Sequence, residues 1–170
     1  MPKIVFLIGV YGAGKTHLVD EMFQKKIWNK DDYAVVSIDK ILIEEAREQG
    51  ITHNEAFANS IRNDKTGWDN IFKCCELIKK YTAENKNIIV DNPNSTVEVR
   101  KRYFSVIPKH YDVEAIYLEI KDVNVYLERL EKRNNFDKSI SRGRAVRALD
   151  RIEEPEYDEG FSKIETISSV

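Results

Sequence analysis

The residues best suited to chemistry in this sequence are arranged for phosphate. Gly9-Val10-Tyr11-Gly12-Ala13-Gly14-Lys15-Thr16 fits the pattern G-x-x-x-x-G-K-[ST]. Its glycines allow backbone angles and close approaches that a Cβ would block. Successive N–H groups can then line an anion-binding concavity, and a helix starting near Lys15 adds its positive end. Lys15 can reach the β- and γ-phosphates of a nucleotide, and the Thr16 hydroxyl can bind Mg²⁺. ATP and Mg²⁺ are therefore the expected ligands. The candidate nucleotide contacts are Gly9, Tyr11, Gly12, Ala13, Gly14, Lys15, Thr16 and His17.

Two acids and a cluster of cations complete the set. Asp39 closes the apolar run "YAVVSID" and suits a general base that accepts a proton from an acceptor hydroxyl; it equally suits a helix N-cap for residues 40–49. Asp91, after "NIIV", can orient a magnesium-bound water together with Thr16, or cap the following loop. Between Lys132 and Arg147 stand six cations (Lys132, Arg133, Lys138, Arg142, Arg144, Arg147) against one anion, Asp137. That stretch reads as a lid over a phosphate chain, with Arg133, Arg142, Arg144 or Arg147 neutralising developing charge, or as a solvated surface helix.

These residues need elements to hold them at one place. Residues 3–9 are nearly all apolar, as in a strand buried on both faces of a parallel sheet. Residues 33–39, 87–92, 112–120 and 161–167 read as further strands. The intervening stretches 16–26, 40–63 (broken at Gly50), 68–84, 95–107, 122–134 and 142–152 read as helices. Ser95 with Glu98 forms an expected capping box, and Asp122 an expected N-cap. Strands alternating with helices predict a parallel α/β sheet, in which ligands bind beyond the carboxyl ends of the strands. The glycine loop, Asp39 and Asp91-Asn92 all fall at such ends.

Composition bounds the rest. With 170 residues, 42% hydrophobic and 33% charged, the chain suits one globular domain, expected over residues 1–170. A net charge of −2 argues against a broadly basic nucleic-acid binder. No apolar run approaches the roughly 18 residues of a membrane span. Cys74 and Cys75 are adjacent and read as buried helix thiols of a cytoplasmic protein.

A switch GTPase would carry N-K-x-D and D-x-x-G; Asn85-Lys86 and Asp91-Asn92-Pro93-Asn94 fit neither. A small kinase needs only the phosphate loop, Mg²⁺, a carboxylate base and closing cations. Three segments then add a resemblance. "VDNPNSTVEVRKRYF", "LERLEKRNN" and "EPEYDEGFSKIETI", in this order, resemble the polynucleotide 5′-kinases of bacteriophages and animal DNA repair.

The resemblance implies an α/β, three-layer P-loop kinase fold with a central parallel five-stranded sheet and a helical lid near residues 134–147. It implies transfer of the γ-phosphate of ATP to a 5′-hydroxyl of a nucleic acid. Lys15 and Thr16 would hold ATP·Mg²⁺, Asp39 would activate the hydroxyl, and a lid arginine would clamp the phosphates. Gap-free counting favours Arg144, with Arg142 and Arg147 open. The chain departs from the family at Ile38 and Leu42, where members carry acceptor-side arginines, and at Tyr11, often proline. Lys40, Arg47, Arg62 and Lys65 are the available replacements, and Trp68 or Tyr11 could stack on a base. A small-molecule or nucleoside kinase is the second expectation, and a weakly catalytic ATP-binding module acting through a protein partner the third.

Overall fold

A computed structural model describes residues 1–64, 66–134 and 141–169. Its first strand, β1 (Lys3–Ile8), lies at the centre of the sheet. Helix α1 (Lys15–Gln24), strand β2 (Tyr33–Val36) and helices α2 (Ile38–Gln49), α3 (His53–Asn63) and α4 (Asp69–Ala83) follow. Then come β3 (Asn87–Asp91), α5 (Val97–Phe104), β4 (Asp112–Glu119), α6 (Val123–Asn134), α7 (Arg142–Arg151), a 3₁₀ turn at Tyr157–Glu159, and β5 (Lys163–Ser168). The strand order is β2-β3-β1-β4-β5 and every pairing is parallel. The expected α/β class, five-stranded parallel sheet and three layers are present.

Alternation along β1 divides the core. Ile4, Phe6 and Ile8 face one layer with α4 and α5, whereas Val5 and Leu7 face the other with α1, α6 and α7. The first layer is centred on aromatic rings. Phe6 meets Tyr103, Phe104 and Phe161 at centroid distances of 5.7, 5.6 and 5.8 Å. Because β1 leads outward to β2 on one side and the later strands fill the other, its carboxyl end lies at the switch point of the sheet, where the two neighbouring crossovers diverge.

Several boundaries differ from expectation. The second strand stops at Val36, paired with Val90, and Ser37 remains extended as the N-cap of α2. Asp39 therefore sits in the first turn of a helix, and the cap position falls to Ser37 rather than to Asp39. Helix α5 is capped by Thr96, whose side chain accepts from Val99 N–H, so the capping box expected at Ser95 does not form. Asp122 does accept from Val125 N–H (3.0 Å) at the start of α6. Trp68 is the N-cap of α4; it packs at the rim of the core, with the Arg102 guanidinium 4.9 Å from its ring centre. Lys65 and residues 135–140 of the expected lid lie outside the described residues. Cys74 and Cys75 are buried, and burial pushes the Cys74 thiol up to about 11. Among the described residues, no helix is long and apolar enough to cross a membrane.

Candidate active site

The phosphate loop turns from β1 into α1 through two left-handed glycines. Gly12 has φ 78° and Gly14 φ 98°. At Gly12 the left-handed backbone favours glycine, and an added Cβ would also lie 2.5 Å from Leu130 Cδ2, so that buried methyl group would have to shift. At Gly14 an added Cβ would meet open space, so the backbone angle alone decides. Gly14 leaves the start of α1 without a side-chain cap. Orphan N–H groups at a helix start, beside a buried lysine, form a cradle suited to phosphate oxygens.

Lys15 is buried, and its Nζ donates to the carbonyls of Gly9 (2.8 Å) and Val10 (2.9 Å). Desolvation lowers its pKa from 10.5 to about 8; Asp91 and Asp39 oppose that shift and Arg133 adds to it. The Thr16 hydroxyl donates to Asp91 Oδ2 at 3.0 Å. Burial raises the Asp91 carboxyl, against the Thr16 bond and the charges of Lys15 and Lys40. Asp39 is about half exposed, and His53 Nε2 lies 4.0 Å from its Oδ1. The elements thus bring Lys15, Thr16, Asp39 and Asp91 to one edge of the sheet, as the positions after β1, β2 and β3 implied.

The cationic side is less closely gathered. Arg133, in the last turn of α6, lies 5.4 Å from the centre of the Tyr11 ring, and Tyr126 Oη donates to the Tyr11 carbonyl at 2.7 Å. Tyr11 and Arg133 thus form a platform beside the loop. Ala13 is buried behind it, and its carbonyl accepts from the Ser169 hydroxyl. His17 is exposed. Arg144 is exposed in the first turn of α7, where its backbone N–H donates to Ser141 Oγ. Arg142 pairs with Glu131 at 2.9 Å.

Sequence reasoning missed His53. Its signal was Thr52-x-x-Glu55, a capping box that the structure forms, placing His53 at the first position of α3. It also read the segments around residues 91–104 and 153–161 as marks of an acceptor class. In the structure they close on each other. Arg100 is fully buried; its Nε and Nη2 each donate to Glu159 carboxylate oxygens at 2.7 Å, and it also donates to the carbonyls of Asn94, Glu153 and Glu154. Gly160 (φ 118°) turns the chain and Phe161 enters the aromatic core. These residues clamp the strap before β5 onto α5.

Hard oxygen donors at Thr16 and Asp91 suit Mg²⁺, which takes one or two protein ligands and completes its shell with phosphates and water. Among the described residues no group of three or more His, Cys, Asp or Glu residues could form a metal cage.

A parallel sheet, a glycine loop at its switch point and a Thr–Asp pair beside a buried lysine define the P-loop kinase class of nucleotide-binding fold. Within it the chain belongs to the AAA domain family, AAA_33, matched over residues 4–155. No curated protein matches this chain in sequence. Among solved structures it is similar to a candidate kinase from Chloroflexus aurantiacus J-10-fl, with 15% identity, TM-score 0.69, and coverage of 99% of this chain and 85% of that one. It is similar to a gluconokinase from Sinorhizobium meliloti 1021, with 14% identity, TM-score 0.60, and 99% and 83% coverage. A chain of the Pnkp1/Rnl/Hen1 RNA repair complex matches at 15% identity and TM-score 0.64, over 89% of this chain and 44% of that one. At these identities the likeness shows the fold.

Proposed function

We propose that this chain is an ATP-dependent phosphotransferase acting on an alcohol acceptor, most simply the 5′-hydroxyl of a polynucleotide. The observation that carries this reading is the convergence of Lys15, the Thr16–Asp91 pair and Asp39 on one edge of the sheet. ATP supplies the γ-phosphoryl group and Mg²⁺ supplies positive charge at its oxygens. Thr16 and Asp91 would hold the metal and a water bound to it. Lys15 turns from the Gly9 and Val10 carbonyls to the phosphates, and the uncapped start of α1 binds them through its N–H groups. Asp39 takes the acceptor hydroxyl's proton on its carboxylate as the acceptor oxygen bonds to the γ-phosphorus and ADP leaves. Arg133 and Arg144 supply cations from the α6–α7 side, and the Tyr11–Arg133 platform flanks the nucleotide.

The polynucleotide acceptor is supported by the resemblance of the three segments and by the RNA repair neighbour. The Arg100–Glu159 clamp supports a second reading, a small-molecule kinase, because it gives two of those segments a purely structural reason to exist. The two separate with γ-labelled ATP offered to 5′-hydroxyl DNA and RNA oligonucleotides and to a pool of small polyols and nucleosides. Label on the oligonucleotides supports the first reading. Label on the small molecules alone overturns it in favour of the second. No label on any acceptor, with ATP still bound, overturns both in favour of an ATP-binding module that works through a partner.

A further inference from the structure

Residues 91–93 follow one another at the end of β3, and each touches a different part of the site. Asp91 accepts from the Thr16 hydroxyl, and the Pro93 carbonyl accepts from Gly9 N–H at 3.1 Å. Between them, Asn92 reaches the other way. Its Oδ1 accepts from Ile38 N–H at 2.8 Å, one residue before Asp39. The bond continues the sheet ladder with a side chain, since backbone pairing between β2 and β3 ends at Val36 and Val90.

Helix α2 needs that bond. A helix start leaves several N–H groups without partners, and its own N-cap, Ser37, makes no side-chain cap bond. Asn92 is 4% exposed, and its Nδ2 faces Tyr103 Oη (3.4 Å) and Cys74 Sγ (3.6 Å). Those two groups fix the amide so that its oxygen points at Ile38. Both are deeply buried in the layer formed by α4 and α5, so the amide is mounted on the core.

We infer that Asn92 is a positioning residue for phosphoryl transfer: it caps α2 from β3 and sets Asp39 in register with the phosphate loop and the Thr16–Asp91 pair. The inference rests on the reading of Asp39 as the base. Asp91, Asn92 and Pro93 then act as one jig, in which adjacent residues hold the metal side, the base and the phosphate loop. A base displaced by about 1 Å can lose on the order of 10²-fold in rate while nucleotide binding stays intact.

The test uses the whole chain, with transfer of label from γ-labelled ATP to a 5′-hydroxyl oligonucleotide or, without acceptor, to water. Asn92→Ala should lower kcat by roughly 10- to 100-fold and leave the KM for ATP within about twofold. In a double-mutant cycle, Asn92→Ala should add less than about twofold to the defect of Asp39→Asn. In the unaltered protein, the Ile38 amide should exchange slowly with solvent. Multiplicative losses in the cycle would overturn the inference, and so would fast exchange at Ile38, which is read on the unaltered protein even where Asn92→Ala fails to fold. Full turnover in Asn92→Ala with Asp39→Asn crippled defeats the inference alone, whereas full turnover in Asp39→Asn defeats the functional reading beneath it.

Discussion

Raising the pH through 8 should weaken ATP binding and, in the same range, stabilise the empty protein, because both effects run through Lys15. Burial lowers the Lys15 pKa from 10.5 to about 8. At about 1.4 kcal/mol per unit, the charged ammonium is disfavoured in the empty site by roughly 3 kcal/mol. Bound phosphates supply the missing counter-charge and raise the pKa again. Below pH 8 the amine is already protonated and binding needs no proton. Above it, binding must take one up, and affinity should fall about tenfold for each further pH unit.

Calorimetric titration of Mg²⁺·ATP, in buffers of different ionisation enthalpy and without acceptor, should show near-zero proton uptake at pH 7 and nearly one proton per site at pH 9. Affinity at pH 9 should be about tenfold weaker than at pH 7. Lys15→Arg, whose guanidinium stays charged, should flatten the profile. The sign for stability is opposite: between pH 8 and 10.5 the unfolded chain binds more protons at this residue, so the empty fold gains stability as pH rises. The difference in urea midpoint between the parent and Lys15→Met should follow that trend. Equal affinity at pH 7 and 9 with no proton uptake would refute the reasoning.

Two further outcomes follow from the geometry. Asp91→Asn should raise the Mg²⁺ concentration needed for half-maximal transfer by roughly 10- to 100-fold, read by metal titration at saturating ATP; an unchanged requirement would remove Asp91 from the metal side. Glu159→Ala leaves Arg100 buried without its carboxylate and should cost about 3–5 kcal/mol of unfolding free energy, while ATP affinity of the folded fraction stays at the parent value. Lost affinity in a well-folded Glu159→Ala would show that the clamp also shapes the site.

Much of this arrangement was legible in the chain itself. The phosphate loop is local, so its residues and order carry it without help from the rest of the fold. The parallel sheet was legible because strands buried on both faces read as unbroken apolar runs, as in "KIVFLI" and "NIIV". The start of α2 was not. Ser37 reads as strand from its place in the run "YAVVSID" and is extended in the structure, and the bond that starts the helix comes from Asn92, 54 residues away. A partner so distant leaves no local trace. The Arg100–Glu159 clamp escaped for the same reason: an arginine on α5 and a glutamate in an acidic strap look like surface charges until the fold buries both. The strap's Glu-Pro and Glu-Gly-Phe pattern was visible, but its meaning depended on what lay opposite. His53 was signalled only by the capping box before it, and its closeness to Asp39 comes from the packing of α3 on α2.

Asp39 is the group proposed to take the acceptor's proton. Single-turnover transfer from γ-labelled ATP, comparing the parent chain with Asp39→Asn on whichever acceptor takes the label, tests it most directly. The rate should fall at least roughly 10²-fold while ATP affinity is unchanged. Transfer at the parent rate in Asp39→Asn would contradict it.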